Sequence, residues 1–518
     1  MRVLFYDFDA GSLGIQSLLA VLKSSAHEVY LYLDCSCPRQ YLVNNRFLER
    51  IFALTEKQIC DDLLSYRAEV VCFSITSLTF ARILGLIRQL KSRCPGLIVI
   101  CGGVHATLLP DAVAQHADID FVVTGEAEHS FPALLDALDN LGIEKTRMLE
   151  ASKLPGVWNM LDGQVINRGL SPVPCDLNRL PPLQKELHHA INRSLSAMYS
   201  TVCMRGCFYS CTFCNDAAIR DLYAQHGASY YRVRSVDCVL AELRHAKERY
   251  CPKHIEFHDD VFAADREWLA EFSRRYPVEI GIPFNVQTHP LLLDDDKLEM
   301  IARSGCVTIE IGVQSACEDV RRDVLRRNET TEHAKRLLIK ARALGMRVET
   351  DFIANLPGET PDHLRQMLEF IYETRPNLVN LHFLAYLPKT EITRIALETG
   401  ALTPGDVQSI LDEMRPFFPS KVLSSRYRVL AIELVMACAF SAPVARKINN
   451  VLDRSFIGAL MAPLAPFVVV LARIMAGLFD RRAYLYRFQF TFGIRNMGRV
   501  LLRKTLGLGI VRPRLGKP

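Results

Sequence analysis

"RGCFYSCTFCND", residues 205–216, sets Cys207, Cys211 and Cys214 in a C-x3-C-x2-C spacing. Three thiolates so close together suit a soft metal, yet a closed tetrahedral zinc site takes four ligands. Cys203 could supply a fourth, but "AMYSTVC" (197–203) reads as a strand that carries Cys203 back into the fold. Three cysteines on a four-iron cluster leave one iron open to another ligand, as catalytic metal centres do.

Working outward, the loop follows the first of six β-rich runs. "AMYSTVC", "HIEFHDD", "FNVQTH", "VTIEIGV", "RVETDFIANL" and "LVNLHFLAYL" alternate with helical stretches between residues 196 and 404. Strand–helix alternation of this length predicts a full or partial (β/α) barrel, whose sites form at the C-terminal ends of the strands. Residues 1–145 alternate similarly, with strands "RVLFYDF", "EVYLYLD", "VVCFSIT", "LIVICGG" and "FVVTGE". That pattern predicts a doubly wound, flavodoxin-like α/β domain around a buried parallel sheet. Residues 146–195 are Pro-rich and weakly periodic, a linker packing on both neighbours, and residues 405–518 read as a helical, apolar and basic region.

Composition narrows the class. The 518 residues carry a net charge of +5, too mild to argue for nucleic acid, and none is expected as a partner. The 16 cysteines show no paired framework of the secreted kind, and the N-terminus carries no signal-peptide pattern. A cytoplasmic location follows as the expectation.

The cysteine spacing after the first barrel strand resembles the radical S-adenosylmethionine superfamily. The order of motifs over residues 200–400 resembles the subgroup that also carries a cobalamin (B12)-binding domain. The resemblance implies a 4Fe-4S cluster held by Cys207, Cys211 and Cys214, with S-adenosylmethionine on the open iron and Phe213 near its adenine. Asp259 and Asp260 end one strand, Glu310 and Gln314 another, and Asp351 lies on a third; all five are candidate cofactor contacts. A carboxylate at a strand end can equally cap the next helix. Asp265 and Glu267 read as ordinary first-turn acids. The last barrel segment departs from the family's Pro-Gly-Thr, reading Pro388-Lys389-Thr390.

In the first domain no G-x-G-x-x-G opens a helix, so a dinucleotide fits poorly. The loop Asp9 to Gly14 matches the outer residues of the cobalt-ligating D-x-H-x-x-G pattern, but Gly11 stands where the histidine would be. "GGVHATLLPDAV" and "VVTGEAEHSFPALLDAL" resemble cobalamin-domain segments, which implies cobalamin at Gly102, Gly103, Gly125 and Glu126. His105 is expected to pack and hydrogen-bond rather than bind cobalt.

At the C-terminus "SFIGALMAPLAPFVVVLA" (455–472) is uncharged, and eleven basic residues against one acid follow it. Such a tail suits an interfacial contact with an anionic membrane, helices closing the barrel, or a span interrupted by Pro463 and Pro466. The expected function is a cobalamin-dependent radical S-adenosylmethionine enzyme methylating an unactivated carbon of a small or lipid-like substrate. It would take electrons from an external donor and work at the inner face of a membrane. The alternatives are a cyclase or oxidative enzyme of the anaerobic magnesium-porphyrin ester cyclase type, and a non-catalytic cobalamin or iron–sulfur sensor or electron carrier.

Overall fold

The computed structural model describes residues 1–8, 11–34, 53–412, 425–454, 456–506 and 512–515. Asp9, the first residue of the D-x-H-x-x-G comparison, lies outside them.

The five N-terminal apolar runs form strands β1 (Arg2–Asp7), β2 (Glu28–Leu33), β3 (Val70–Ser74), β4 (Ile98–Gly102) and β5 (Phe121–Val123). They pair in parallel in the order β2-β1-β3-β4-β5, the flavodoxin-like arrangement. Helices pack on both faces, so these strands are apolar on both sides: Leu4, Tyr6, Val71 and Val99 face one core, and Val3, Phe5, Val70 and Ile100 the other. Order reverses between β1 and β3, and a crevice opens there at the C-terminal strand ends.

The Pro-rich segment does more than link. Its β6 (Val157–Leu161) and β7 (Gln164–Ile166) add two antiparallel strands to the edge of the first sheet. Gly156 fits there because its φ is +74° and a Cβ would lie 2.2 Å from the Ser171 nitrogen.

Six parallel strands make the second sheet: β8 (Met198–Thr201), β11 (His254–Phe257), β12 (Phe284–Thr288), β13 (Cys306–Gln314), β14 (Arg347–Ala354) and β15 (Leu378–Phe383), paired in that order. The described strands do not close, so this is a partial barrel. The short antiparallel pair β9 (Met204–Arg205) and β10 (Arg232–Val233) follows β8 and frames the cysteine loop.

The C-terminal helices lie against the open side and the N-terminal ends of the barrel strands. The start of the Tyr484–Leu506 helix and the turn before it dock there: Tyr484 stacks on His254, Thr308 donates to the Arg482 carbonyl, and Tyr486 bonds Glu349. The same helix continues onto the segment before β8, with Arg495 on Ser194 and Arg499 on the Ile191 carbonyl, and then onto the first domain, with Arg503 on Asp62. Arg514 reaches Glu28, and Arg512 lies over the Tyr66 ring. Much of the basic charge that composition assigns to a membrane surface is therefore used inside the protein.

Candidate functional site

The cysteine loop leaves β9 through Gly206, whose φ of +81° and a would-be Cβ 2.5 Å from the Tyr230 carbonyl exclude other residues. It ends with Cys214 as the N-cap of the Asn215–Gln225 helix. Between them the Thr212 side chain donates to the Val324 carbonyl at 2.6 Å, and the Ile392 N–H donates to the Thr212 carbonyl at 2.9 Å. The loop is thus tied to the segments after β13 and β15.

Two donors point at the sulfurs. The Tyr209 N–H lies 3.4 Å from Cys207 Sγ, and Arg327 Nη1 lies 3.8 Å from Cys211 Sγ. Arg327 is buried and fixed by Glu329 at 2.8 Å and by the Gly312 carbonyl. Burial pushes all three thiols up, Cys207 to about 12. They need a bound cation to become thiolates, and the N–H donors suit anionic sulfur. Among the described residues no three His, Cys, Asp or Glu side chains converge on one point as a mononuclear ion requires. A cubane takes one thiolate per iron and needs no such convergence, so the three-thiol loop fits a cluster.

Phe213 is half-buried against the apolar group of Leu325, Ile353, Leu356 and Tyr386. Lys389 holds a φ of +66°, the left-handed backbone of the glycine it replaces, so the turn keeps its shape. On the inner faces of β13 and β14, Glu310, Gln314 and Asp351 come together. A Cβ on Gly312 would sit 2.7 Å from Gln314 Nε2 and 3.9 Å from Asp351 Oδ2, so the glycine leaves room for both. Burial, then Asp351, Glu349 and Glu256, push the Glu310 carboxyl well up, and it hydrogen-bonds Asp351.

Asp259 and Asp260 part company. Asp259 is buried and accepts the Cys203 and Met204 N–H groups, both at 2.7 Å, which fixes the end of β8. Its carboxyl is pushed up to about 7, chiefly by burial. Asp260 opens to solvent near Asp216; the crowding of protein around it, then Asp216 and Asp259, raise it to about 7. Asp265 caps the next helix and Glu267 sits in its first turn, as ordinary helix acids do.

At the switch point of the first sheet is a largely apolar cavity of about 300 Å³. Phe5, Ile15, Ile100, Val123 and Phe131 wall it, and Gly102, Gly103, Gly125 and Glu126 edge it. A Cβ on Gly102 would meet only the Val123 carbonyl at 3.5 Å, so this glycine keeps space open. Gly103 answers to its own fold, with φ at +96° and a Cβ 2.9 Å from the Ile75 carbonyl. An apolar crevice with a glycine rim fits a face of a large organic cofactor such as cobalamin. His105 is fully buried outside the lining, its Nδ1 2.9 Å from Ser77 Oγ and its ring against Phe80.

Arg205 joins the two sites. It lines the cavity two residues before Cys207 and pairs with Glu126 at 2.6 Å and Glu128 at 2.7 Å. Arg232 on β10 also pairs with Glu126. Sequence reading missed Arg205, Glu128, Arg232 and Arg327, whose partners lie up to 188 residues away and leave no periodic signal.

Comparison with known proteins agrees with this division. Residues 3–135 match the B12 binding domain and residues 201–371 the radical SAM superfamily. An anaerobic magnesium-protoporphyrin IX monomethyl ester cyclase of Rubrivivax gelatinosus is 22% identical over 63% of this chain, which spans 58% of the cyclase. A cytidylyl-2-hydroxyethylphosphonate methyltransferase of Streptomyces wedmorensis is 21% identical over 76% of this chain and 79% of its own. Among solved structures, the cobalamin-dependent S-adenosylmethionine radical enzyme OxsB, with aqua-cobalamin and S-adenosylmethionine bound, superposes with a TM-score of 0.63. That match is 15% identical and covers 98% of this chain and 80% of OxsB, a likeness of fold.

Proposed function

Because the chain belongs to the radical S-adenosylmethionine enzymes that carry a B12-binding domain, we propose that it methylates an unactivated carbon of a small or lipid-like substrate. When bound, the cluster with S-adenosylmethionine supplies hydrogen abstraction from carbon, and cobalamin supplies the methyl group. The single observation that carries the reading is the Arg205 bridge between the three-thiol loop and the glycine-rimmed cavity. The methyltransferase relative, matched over more of its length than the cyclase, favours methylation over cyclisation.

Cys207, Cys211 and Cys214 hold the cluster, and the Tyr209 N–H and Arg327 stabilise the ligand sulfurs as anions. Glu310, Gln314, Asp351 and Asp260 would help hold S-adenosylmethionine, with Phe213 contributing at its adenine. Asp259 acts by fixing the end of β8. Gly102 would leave room for one part of the corrinoid, with Gly103 and Gly125 shaping the rim around it, since the cavity is too small to enclose it whole. Glu126 orients Arg205 at its rim. The electrons such a cluster needs would come from an external donor.

We also place a peripheral membrane contact, on the cytoplasmic side, at the apolar stretch Ile457–Phe479. It has 23 residues and is only 17% buried over its most apolar window. Leu460, Leu464, Phe467, Leu471 and Leu478 lie exposed along it at helical spacing.

Anaerobic reconstitution with iron, sulfide, cobalamin and reductant tests the reading. Wild-type protein should convert S-adenosylmethionine to both 5′-deoxyadenosine and S-adenosylhomocysteine, the second reporting methyl transfer to cobalamin. Alanine at Cys207, Cys211 or Cys214 should abolish deoxyadenosine. Deoxyadenosine without S-adenosylhomocysteine would favour the cyclase-type reaction, and neither product would leave a sensor or carrier.

A further inference from the structure

A second cavity, of about 200 Å³, lies on the other side of the first helix. Five elements of the chain build most of it. The helix Leu13–Leu22 contributes Gln16, the helix Glu186–Ile191 and the residue before it give His188, His189 and Lys185, β8 and β11 present Ser200 and Glu256, and the last helix adds Phe488 and Phe492. Its position is telling: Gln16 faces this cavity while Leu13, Ile15 and Leu18 of the same helix line the apolar one. The polar cavity therefore lies between the proposed corrinoid crevice and the barrel interior.

Its charges do not balance. Glu256, the acid among the described lining residues, lies 3.1 Å from His258 Nε2, and the lining His188 already has its Nε2 2.8 Å from Asp7. Lys185 is 3% exposed, and its Nζ donates only to neutral oxygens, Gln16 Oε1 and the Ser200 carbonyl, with the Tyr199 ring beneath it. Among the described residues no carboxylate lies within ion-pairing distance of it. A buried ammonium without a counter-ion is costly. Burial pulls this amine down to about 7, against the distant pull of Glu242 and Glu256. Two more groups await a partner: the Nδ1 atoms of His188 and His189 are buried with no hydrogen bond. Phe488 and Phe492 stack on the opposite side, with ring centroids 5.7 Å apart.

We propose that this cavity is the substrate subsite and that it takes a carboxylate or phosphate against Lys185, with the apolar body of the same molecule against Phe488 and Phe492. This rests on the methyltransferase reading for calling the ligand a substrate. The anion selectivity stands on the cavity alone, and the test needs no turnover.

Binding of 4-phenylbutyrate, phenyl phosphate and the neutral 4-phenylbutanamide to cluster-loaded full-length protein is measured by calorimetry, without S-adenosylmethionine or reductant. At least one anion should bind tenfold or more tighter than the amide, and the tighter anion names the headgroup. Lys185→Met should erase the preference, and Lys185→Arg should keep most of it. Equal affinity for anions and amide, a preference that survives Lys185→Met, or no anion binding up to the solubility limit overturns the proposal. If Lys185→Met does not fold, acetylation of wild-type Lys185 read by peptide mass spectrometry decides. The anion should slow it and the amide should not; equal rates overturn the proposal. Retained cobalamin and S-adenosylmethionine cleavage with no anion preference would sink the subsite and leave the proposed function standing.

Discussion

The two parallel sheets hold their proposed cofactors by opposite means. At the C-terminal edge of the first sheet the cavity walls are largely apolar, with glycines at the rim and the paired charges of Arg205, Glu126 and Glu128 to one side. In the barrel the inward positions alternate with the apolar core. Glu256, Glu310, Glu349 and Asp351 point in, while Ile255, Ile309, Ile311, Val348 and Phe352 pack outward. Alternation ordinarily marks a strand with one wet face. Here both faces are covered, and the polar face meets a lumen. On the proposed assignment, a large flat cofactor would be received by shape and a small charged one by placed carboxylates.

The largest expected effect tests the shape half. Gly102→Leu should fill the crevice and abolish corrinoid retention after desalting, while cluster content and fold remain. Gly103→Ala should instead destabilise the first domain by about 1–3 kcal/mol, the usual cost of a strained non-glycine backbone. Normal corrinoid retention in Gly102→Leu would break the comparison, because the crevice would then not be where the cofactor sits.

The carboxylate half predicts a pH signature. Asp259, raised from 3.8 to about 7, binds its proton more tightly in the folded barrel than in the unfolded chain. Its stabilisation is complete below about pH 4, declines as pH climbs towards 7 and is gone above that. The shift sets an upper bound of about 4 kcal/mol. Buried Glu128 in the first domain behaves oppositely: burial works to raise it, but Arg205 overrides that and holds it below the usual carboxylate range. With Trp158→Phe as background, Trp268 is the sole tryptophan and reports the barrel. Its urea midpoint should fall from pH 4.5 to pH 8, and Asp259→Asn should remove part of that slope, the rest belonging to Asp260 and Glu310. An unchanged slope would show that Asp259 carries no excess proton.

How far these features could be read in the sequence follows from how local they are. The cysteine loop is legible because its ligands, turn glycine and cap lie within ten residues. The six barrel runs and the five of the first sheet are legible because strand period and turn residues are short-range signals. Glycine at 102 is visible, but its reason for being there is not, since the open space is made by β5 and the first helix. Arg205 is unremarked because Glu126 and Glu128 lie almost 80 residues earlier. β6 and β7 are hidden in a proline-rich stretch, where edge strands need little periodicity. The tail misleads for a similar reason: composition counts its arginines and cannot say that Asp62, Glu28 and Asp480 already hold several of them.

That last point yields the smallest expected effect and sharpens the contrast between charge and shape at the surface. If the basic residues were free, attraction to anionic lipid would dominate and fall with salt. In this fold Arg482, Arg503 and Arg514 are paired with acids, and Arg495 and Arg499 are bonded to the segment before β8. What remains is the exposed apolar face of Leu460, Leu464, Phe467 and Leu471. Binding through burial of such a face depends on area rather than on ionic strength. Full-length protein should therefore co-sediment modestly with phosphatidylcholine vesicles, almost as well as with vesicles containing phosphatidylserine, and high salt should change little. Leu464→Glu with Leu471→Glu should release it while leaving cluster and corrinoid loading intact, because both side chains lie on the exposed face. Binding that requires phosphatidylserine and vanishes in salt would mean that the tail lets go of Asp62 and Glu28 at a membrane. No binding to either vesicle would remove the membrane contact, and with it the reason to favour a lipid-like substrate over a soluble one.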